Sequence, residues 1–392
     1  MLKLTEIAKK CEIVKHVVNK NKNLDEYIKV SSILPKEDIK KAYDVISSWP
    51  EYRPTPLIEL NKIAQFCGVK SVLFKDESQR FDLKSFKALG GAYAVADLAR
   101  DFILKGGKVT DYVVTTATDG NHGRSVAWGA KLAGVKAKIY IHAHVSKSRE
   151  TAMQELGAEV IKINGNYEAS LSACKSDAEK NGWHIVSDTS WEGYTDIPRQ
   201  VMAGYSVIAT ECLSQLEGIN PSHAFLPVGV GGLAGGVTAP FLHHMKNELF
   251  KVISVESNMS ACFLESIESN RPTLVDIKEE TLMAGLSCGE VSKIAWDLLK
   301  PLVSDSICIT DKAVAPIMHL FASGKAASDT QNELLSIEAG ECSTSGLAAL
   351  LAICNDKKAK AEMGLNNNSV VLLIGTEGAT DPELYATLIK SE

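Results

Sequence analysis

The chain of 392 residues is 45% apolar and 23% charged, with a formal net charge of −6. Those values exclude a disordered chain and a membrane protein built on long uncharged stretches, and the absence of any block of like charge argues against a nucleic-acid or membrane partner. One core does not suffice at this length, so two domains are expected, interleaved in sequence because no Pro- or Ser-rich linker divides the chain.

The amino-terminal segment MLKLTEIAKKCEIVKHVV carries charges where a signal peptide needs an unbroken apolar core, so secretion by that route is not expected, and the singly scattered cysteines point to a cytoplasmic setting. Its lysines, from Lys9 to Lys22, read as a solvated helical face. Further on, the charged stretch KDESQRFDLK enters SFKALGG (Ser85–Gly91) and a small-residue helix, AYAVADLA. The strand DYVVTT leads into ATDGNHG and the helix RSVAWGAKLAG, which ends at Gly134 before the strand AKIYIHA. The helix SRETAMQELG stops at Gly157 and yields the strand EVIKI. Beyond the loop DTSWEGYTDIP, HAFLPV enters GVGGLAGG and a helix, KVISVES follows, and SVVLLIG enters TEGATD near the end. β-branched runs that alternate with amphipathic helices are the rhythm of parallel βαβ units, so the fold class is α/β. The nine cysteines (Cys11, Cys67, Cys174, Cys212, Cys262, Cys288, Cys308, Cys342 and Cys354) are scattered singly and read as reduced thiols. The histidines show no metal-ligand spacing, and no metal centre is expected.

Four segments carry residue types suited to chemistry. Lys87 in SFKALGG can form a Schiff base if its amine is at times neutral and aimed into a closed site, with small neighbours admitting a ring; the alternative is an ordinary surface lysine. Thr115–Ser125, TTATDGNHGRS, lies at a strand end and helix start, where free N–H groups can receive a carboxylate or phosphate. Within it Asn121 can bond a ring hydroxyl and Asp119 can serve as a base, or the segment is simply a tight turn with a capped helix. Gly229–Gly236 allow successive N–H groups to converge on a phosphate. Gly229, Gly231 and Ala234 also satisfy a dinucleotide fingerprint, with Glu256 near the place of a ribose-binding acid, so a nicotinamide-dependent dehydrogenase is a rival. Asp188, in Asp188–Pro198, is a second candidate base in a loop that is otherwise a solvated one anchored by aromatics.

Taken together, KDESQRFDLKSFKALGGAYA, TATDGNHGRSVAW, DTSWEGYTDIPRQVMAGY, GVGGLAGG, TLMAGLSCGE and GTEGATDPELY resemble the diaminopropionate ammonia-lyases, within the β-family (fold type II) of pyridoxal-phosphate enzymes, along nearly the whole chain. The resemblance implies a tryptophan-synthase-β-like fold of two domains with parallel-rich twisted sheets flanked by helices. A large cofactor-binding domain would take residues 1–89 and 199–392, and a small one residues 90–198. It implies pyridoxal 5'-phosphate held by Lys87 as a Schiff base with Phe86 beside it, its phosphate at Gly229, Gly231, Gly232, Leu233, Ala234 and Gly235, and its ring hydroxyl at Asn121. Thr376 is the expected partner of the pyridine nitrogen, a neutral hydroxyl that leaves the ring less electron-withdrawing than an acid would. Asp119 and Asp188 would be the acid–base pair, which in this family accounts for acceptance of both D and L isomers. The expected activity is elimination of ammonia from 2,3-diaminopropionate by a homodimer acting on a small amino acid. A serine, threonine or hydroxyaspartate dehydratase and a non-catalytic carrier of the cofactor are the alternatives. The chain departs from the pattern at Asp82, Leu83 and Lys84, where glycine and asparagine are usual. It departs again at Val291, Ser292 and Lys293, in place of a proline-containing turn, and at GECSTSG (Gly340–Gly346). Lys84 would bind a substrate carboxylate or point to solvent, and Cys342 and Ser343 would pack against the cofactor pocket rather than line it.

Overall fold

The computed structural model describes residues 4–118, 120–245, 250–327 and 334–390. Along them run strands β1 (Ile13–Val18), β2 (Leu57–Glu59), β3 (Ser71–Asp76), β4 (Val113–Ala117), β5 (Lys136–His142), β6 (Glu159–Ile163), β7 (His184–Ile185), β8 (His223–Pro227), β9 (Lys251–Ser257), β10 (Val303–Ile309) and β11 (Val370–Gly375). They form a seven-stranded sheet of order β1-β10-β9-β8-β11-β3-β2 and a four-stranded sheet of order β6-β5-β4-β7. The four-stranded sheet is parallel throughout. In the larger sheet only the two edge strands, β1 and β2, run antiparallel. Every residue of β8, β10 and β11 is buried, as expected for strands with helices on both faces; β8 and β11 accordingly read as apolar runs, whereas β10 (VSDSICI) buries Ser304, Asp305 and Ser306 among its apolar residues. Among the described residues no helix is long and apolar enough to cross a membrane.

The start of the chain corrects the sequence reading. Lys9–Lys22 is not one helical face: a helix, Leu4–Lys10, ends there and β1 follows, paired with β10. Ile13, Val14, Val17 and Val18 are β-branched and suit a pleated edge, and Lys15, on the half-buried face, reaches Glu265 and Glu268 at 2.8 and 2.6 Å. Two helices also begin earlier than their apolar patterns suggest, at Lys87 and at Asn121.

Three features carry Lys87 into position. The helices Lys87–Leu104 and Asp196–Gln215 touch backbone to backbone, since a Cβ on Gly204 would lie 2.6 Å from the Leu89 carbonyl oxygen. The loop between β3 and Lys87 is pinned by a buried ionic cluster in which Arg80 bonds Glu77 and Glu211, while Lys75 bonds Glu211 at 2.6 Å. Thirdly, the Phe86 N–H donates to the Thr376 carbonyl at 2.9 Å, just past the end of β11. The segments that follow β3, β4, β7, β8 and β11 hold the candidate residues, so the site lies at the carboxyl ends of both sheets, where open α/β sheets bind ligands.

Candidate active site

Lys87 opens its helix, and its Nζ lies 2.7 Å from Asp188 Oδ2, with both side chains 22% exposed. Burial alone would raise the Asp188 carboxyl; His122 and the Lys87 ammonium outweigh it and hold Asp188 well below the usual carboxylate range. The loop bearing Asp188 is fixed from two sides. Trp191 and Tyr194 stack at 4.2 Å, and the Tyr194 hydroxyl donates to the Ile185 carbonyl while accepting from the Ser187 N–H. On the other side the Ser190 N–H donates to Ser292 Oγ at 3.0 Å, and the Ser292 N–H donates to the Val230 carbonyl at 2.9 Å. Ser292, one of the departures from the family pattern, thus joins the Asp188 loop to the glycine loop.

Asn121 is the first residue of the helix Asn121–Ala133. Thr118 Oγ1 accepts from the Gly120 and Gly123 N–H groups at 3.1 and 3.2 Å, so the turn is capped by its own side chain. Asp119 lies outside the described residues. His122, directly after Asn121, is buried; its Nε2 meets the Val186 carbonyl at 2.8 Å and its Nδ1 lies 3.8 Å from Asp188 Oδ2.

The glycine loop runs from the end of β8 into the helix Gly232–Met245. Gly231 sits at φ 97°, a conformation that side chains disfavour, and a Cβ on Gly229 would lie 2.7 Å from the Gly285 carbonyl oxygen. Side chains are therefore excluded at Gly229 and Gly231, and the N–H groups of the first helical turn, Gly232, Leu233 and Ala234, have no intrahelical acceptors. Gly235 differs: its N–H donates to the Gly231 carbonyl at 2.9 Å, and a Cβ there would meet Met202 at 3.0 Å. Gly236 likewise backs onto Tyr205 and Met202.

Behind Lys87, Ser343 Oγ stands 3.3 Å from Thr376 Oγ1 and donates to the Glu377 carbonyl at 2.7 Å. The Cys342 N–H donates to Glu377 Oε1 at 2.9 Å. Burial, with Glu341 nearby, pushes the Glu377 carboxyl up to about 7 despite these donors and the Thr376 hydroxyl. Lys84 pairs with Glu338 at 2.9 Å, both partly exposed. Glu256 is consumed elsewhere: its two oxygens accept from the Phe263 and Leu264 N–H groups at 2.8 and 2.7 Å, capping the helix Cys262–Ser269. A carboxylate spent in that way cannot hold a ribose, which removes the physical basis of the dehydrogenase reading.

Sequence reasoning did not single out His122 or Tyr205. The Tyr205 hydroxyl is buried without a hydrogen-bond partner among the described residues, and its ring packs edge-on against Phe86 at 4.8 Å. Both stand inside quoted motifs, ATDGNHG and DIPRQVMAGY, but nothing in their spacing reveals that they meet Lys87 and Asp188. An amine beside a carboxylate, an anion cradle that excludes side chains and an unpartnered buried hydroxyl suit a phosphorylated aromatic aldehyde, so these residues fit pyridoxal phosphate.

A family model for pyridoxal-phosphate dependent enzymes matches residues 49–375. Over 351 residues the chain is 35% identical to diaminopropionate ammonia-lyase of Escherichia coli (strain K12), covering 86% of this chain and 87% of that protein. With the diaminopropionate ammonia-lyase of Salmonella typhimurium (strain LT2) it shares 34% identity over 361 residues, 87% of this chain and 89% of that one. The crystal structure of the Escherichia coli enzyme in complex with D-serine matches with a TM-score of 0.86 and 33% identity over 96% of each chain.

Proposed function

The chain belongs to the pyridoxal-phosphate dependent enzymes and, among them, to the diaminopropionate ammonia-lyases, and from that premise we propose that it eliminates ammonia from D- or L-2,3-diaminopropionate, or both, to give pyruvate and ammonia. The observation that carries the residue assignment is the contact of Lys87 with Asp188 beside the glycine cradle. Lys87 would bind the cofactor through its amine. The N–H groups between Gly229 and Ala234 would hold the phosphate, Asn121 the ring hydroxyl and Thr376 the pyridine nitrogen, with Phe86 alongside. When bound, pyridoxal phosphate supplies a conjugated, electron-withdrawing ring that acidifies the α-hydrogen of an attached amino acid.

The protein's own groups do the rest. Lys87, once freed by the incoming substrate amine, is a neutral base on one face and takes the α-hydrogen presented there. A substrate of opposite configuration presents that hydrogen to the other face, for which Asp119 is the proposed base. Asp188, held ionised, attracts the β-ammonium of the substrate and orients it for departure as ammonia. The 2-aminoacrylate that is released hydrolyses in water to pyruvate and a second ammonia. Membership of strands supports the proposed division at about residues 90 and 198, since the four-stranded sheet is drawn wholly from between them. A cytoplasmic location is proposed from the singly scattered thiols, and a homodimer from the family resemblance.

The test is release of pyruvate and ammonia by the purified, cofactor-loaded protein from D- and L-diaminopropionate, beside D- and L-serine and threonine. Rapid turnover of diaminopropionate is expected. Turnover of a hydroxy amino acid alone would make the protein a dehydratase, and silence on all substrates with cofactor bound would make it a carrier.

A further inference from the structure

His122 lies behind Asp188, and the hydrogen bonds around it determine where its protons sit. A carbonyl oxygen has no proton to give, so at 2.8 Å from the Val186 carbonyl, Nε2 must be the donor. The other ring nitrogen, Nδ1, is buried and has no hydrogen-bond partner among the described residues; Asp188 Oδ2 lies 3.8 Å from it. A neutral ring would turn a bare lone pair toward a carboxylate. A doubly protonated ring turns a positive N–H toward it instead. We propose that His122 is a positioning residue that stands as an imidazolium behind Asp188 and keeps that carboxyl ionised when Lys87 does not.

The need for a second cation follows from Lys87 itself. Its Nζ approaches the same oxygen, Asp188 Oδ2, at 2.7 Å, but a lysine that binds a cofactor and then acts as a base cannot remain a full ammonium throughout. His122 makes no covalent bond and keeps its charge while Lys87 changes. Among the described residues the Tyr194 and Tyr205 phenols and the Cys342 thiol also face this cluster, all raised by burial and neutral, so none supplies a competing charge. Asp119 precedes His122 by three positions and lies outside the described residues.

This inference rests on the proposed function for the changing charge of Lys87 and for its kinetic arm, while the ring geometry of His122 stands apart from it. The direct test is 15N NMR of the holoenzyme labelled in its histidine rings, with His122 assigned by the signals lost in His122→Gln. Both ring nitrogens of His122 should be protonated at neutral pH, and in Asp188→Asn the second proton should be lost. A single protonated nitrogen in the wild-type protein overturns the proposal. Gln at 122 can keep the amide donor to Val186 while placing nothing at Nδ1, so a merely structural role predicts full rescue. On the proposal, the acid limb of kcat for diaminopropionate moves up by about 1–3 pH units in that variant; an unmoved limb overturns it. If the wild type fails to turn over diaminopropionate, the functional reading falls and the nitrogen signals still decide the state of His122.

Discussion

Replacing Glu211 by glutamine removes one anion from a buried cluster with two cations and two carboxylates. Glu211 Oε2 accepts from Lys75 at 2.6 Å, Arg80 Nη2 at 2.8 Å and the Thr55 N–H at 3.1 Å, while Oε1 accepts from Arg80 Nη1 at 2.8 Å and the Tyr52 hydroxyl at 3.0 Å. With Gln, Lys75 and Arg80 are left with Glu77 as the one carboxylate of the four, and the new amide must turn its NH2 toward donors on either side. The less costly orientation puts it at Oε1, against Tyr52 and Arg80. Breaking a buried pair from one side costs about 3–5 kcal/mol, against about 0–1 for an exposed pair. Urea unfolding of the cofactor-loaded protein should show that loss, and the double variant Lys75→Met/Glu211→Leu should recover part of it, because Arg80 and Glu77 remain as a neutral pair. Acid behaviour adds a sign. Burial raises the Glu211 carboxyl, but Arg80 and Lys75 outweigh it and hold the folded value low, so its stabilisation is present above the unfolded pKa and is lost as pH falls through the folded one. A loss under about 1 kcal/mol in the single variant would refute the view that this cluster anchors the loop before Lys87.

Lys87→Ala should abolish the absorbance of the covalently held cofactor and lower turnover by about 10²–10⁴-fold; a persisting band would remove the central assignment. Gly231→Ala forces a side chain onto φ 97° with the Ala295 Cβ only 2.9 Å away. Strain of about 1–3 kcal/mol corresponds to roughly 5- to 150-fold weaker cofactor binding, measured by titrating the apo protein, and unchanged affinity would count against the cradle. The Glu377 carboxyl, raised by burial from 4.5 to about 7, retains a proton in the folded state that the unfolded chain releases. Its stabilisation is complete below the unfolded pKa and disappears as pH rises through the folded one, so from about pH 5 to about pH 8 the stability of Glu377→Gln relative to wild type should improve by on the order of 2–3 kcal/mol. A difference that stays flat with pH would show that the carboxyl is already ionised at the lower end.

The parts of this molecule written in local pattern were legible, and the parts made by distant contacts were not. Apolar runs mark β8 and β11, and Val252, Ile253 and Val255 mark β9, because strands covered on both faces bury nearly every position. By contrast β1 is half-buried and lysine-bearing, and its pairing is decided by β10, nearly three hundred residues away. The glycine loop was recognisable from its composition, yet sequence could not tell that Gly235 is claimed by its own helix or that Glu256 caps another one. The same limit applies within the site. SFKALGG announces Lys87, whereas the meeting of Lys87 with Asp188, 101 positions on, depends on helix contacts that only the folded chain displays.

The departures from the family pattern gain a common explanation in the structure. Lys84 sits at φ 55°, a conformation in which asparagine is at ease and lysine is not, and its carbonyl accepts from the Gly378 N–H at 2.9 Å. Its ammonium reaches Glu338, whose Oε1 also accepts from the Ala379 N–H at 3.1 Å. Cys342 and Ser343 bond Glu377 in the same loop. Lys84, Cys342 and Ser343 therefore belong to one unit that clasps residues 376–379 behind Thr376. Because their polar groups are engaged with that loop, their effect on chemistry passes through the placement of Thr376. Ser292, the remaining departure, ties the loop of Asp188, the group proposed to meet substrate charge, to the glycine loop.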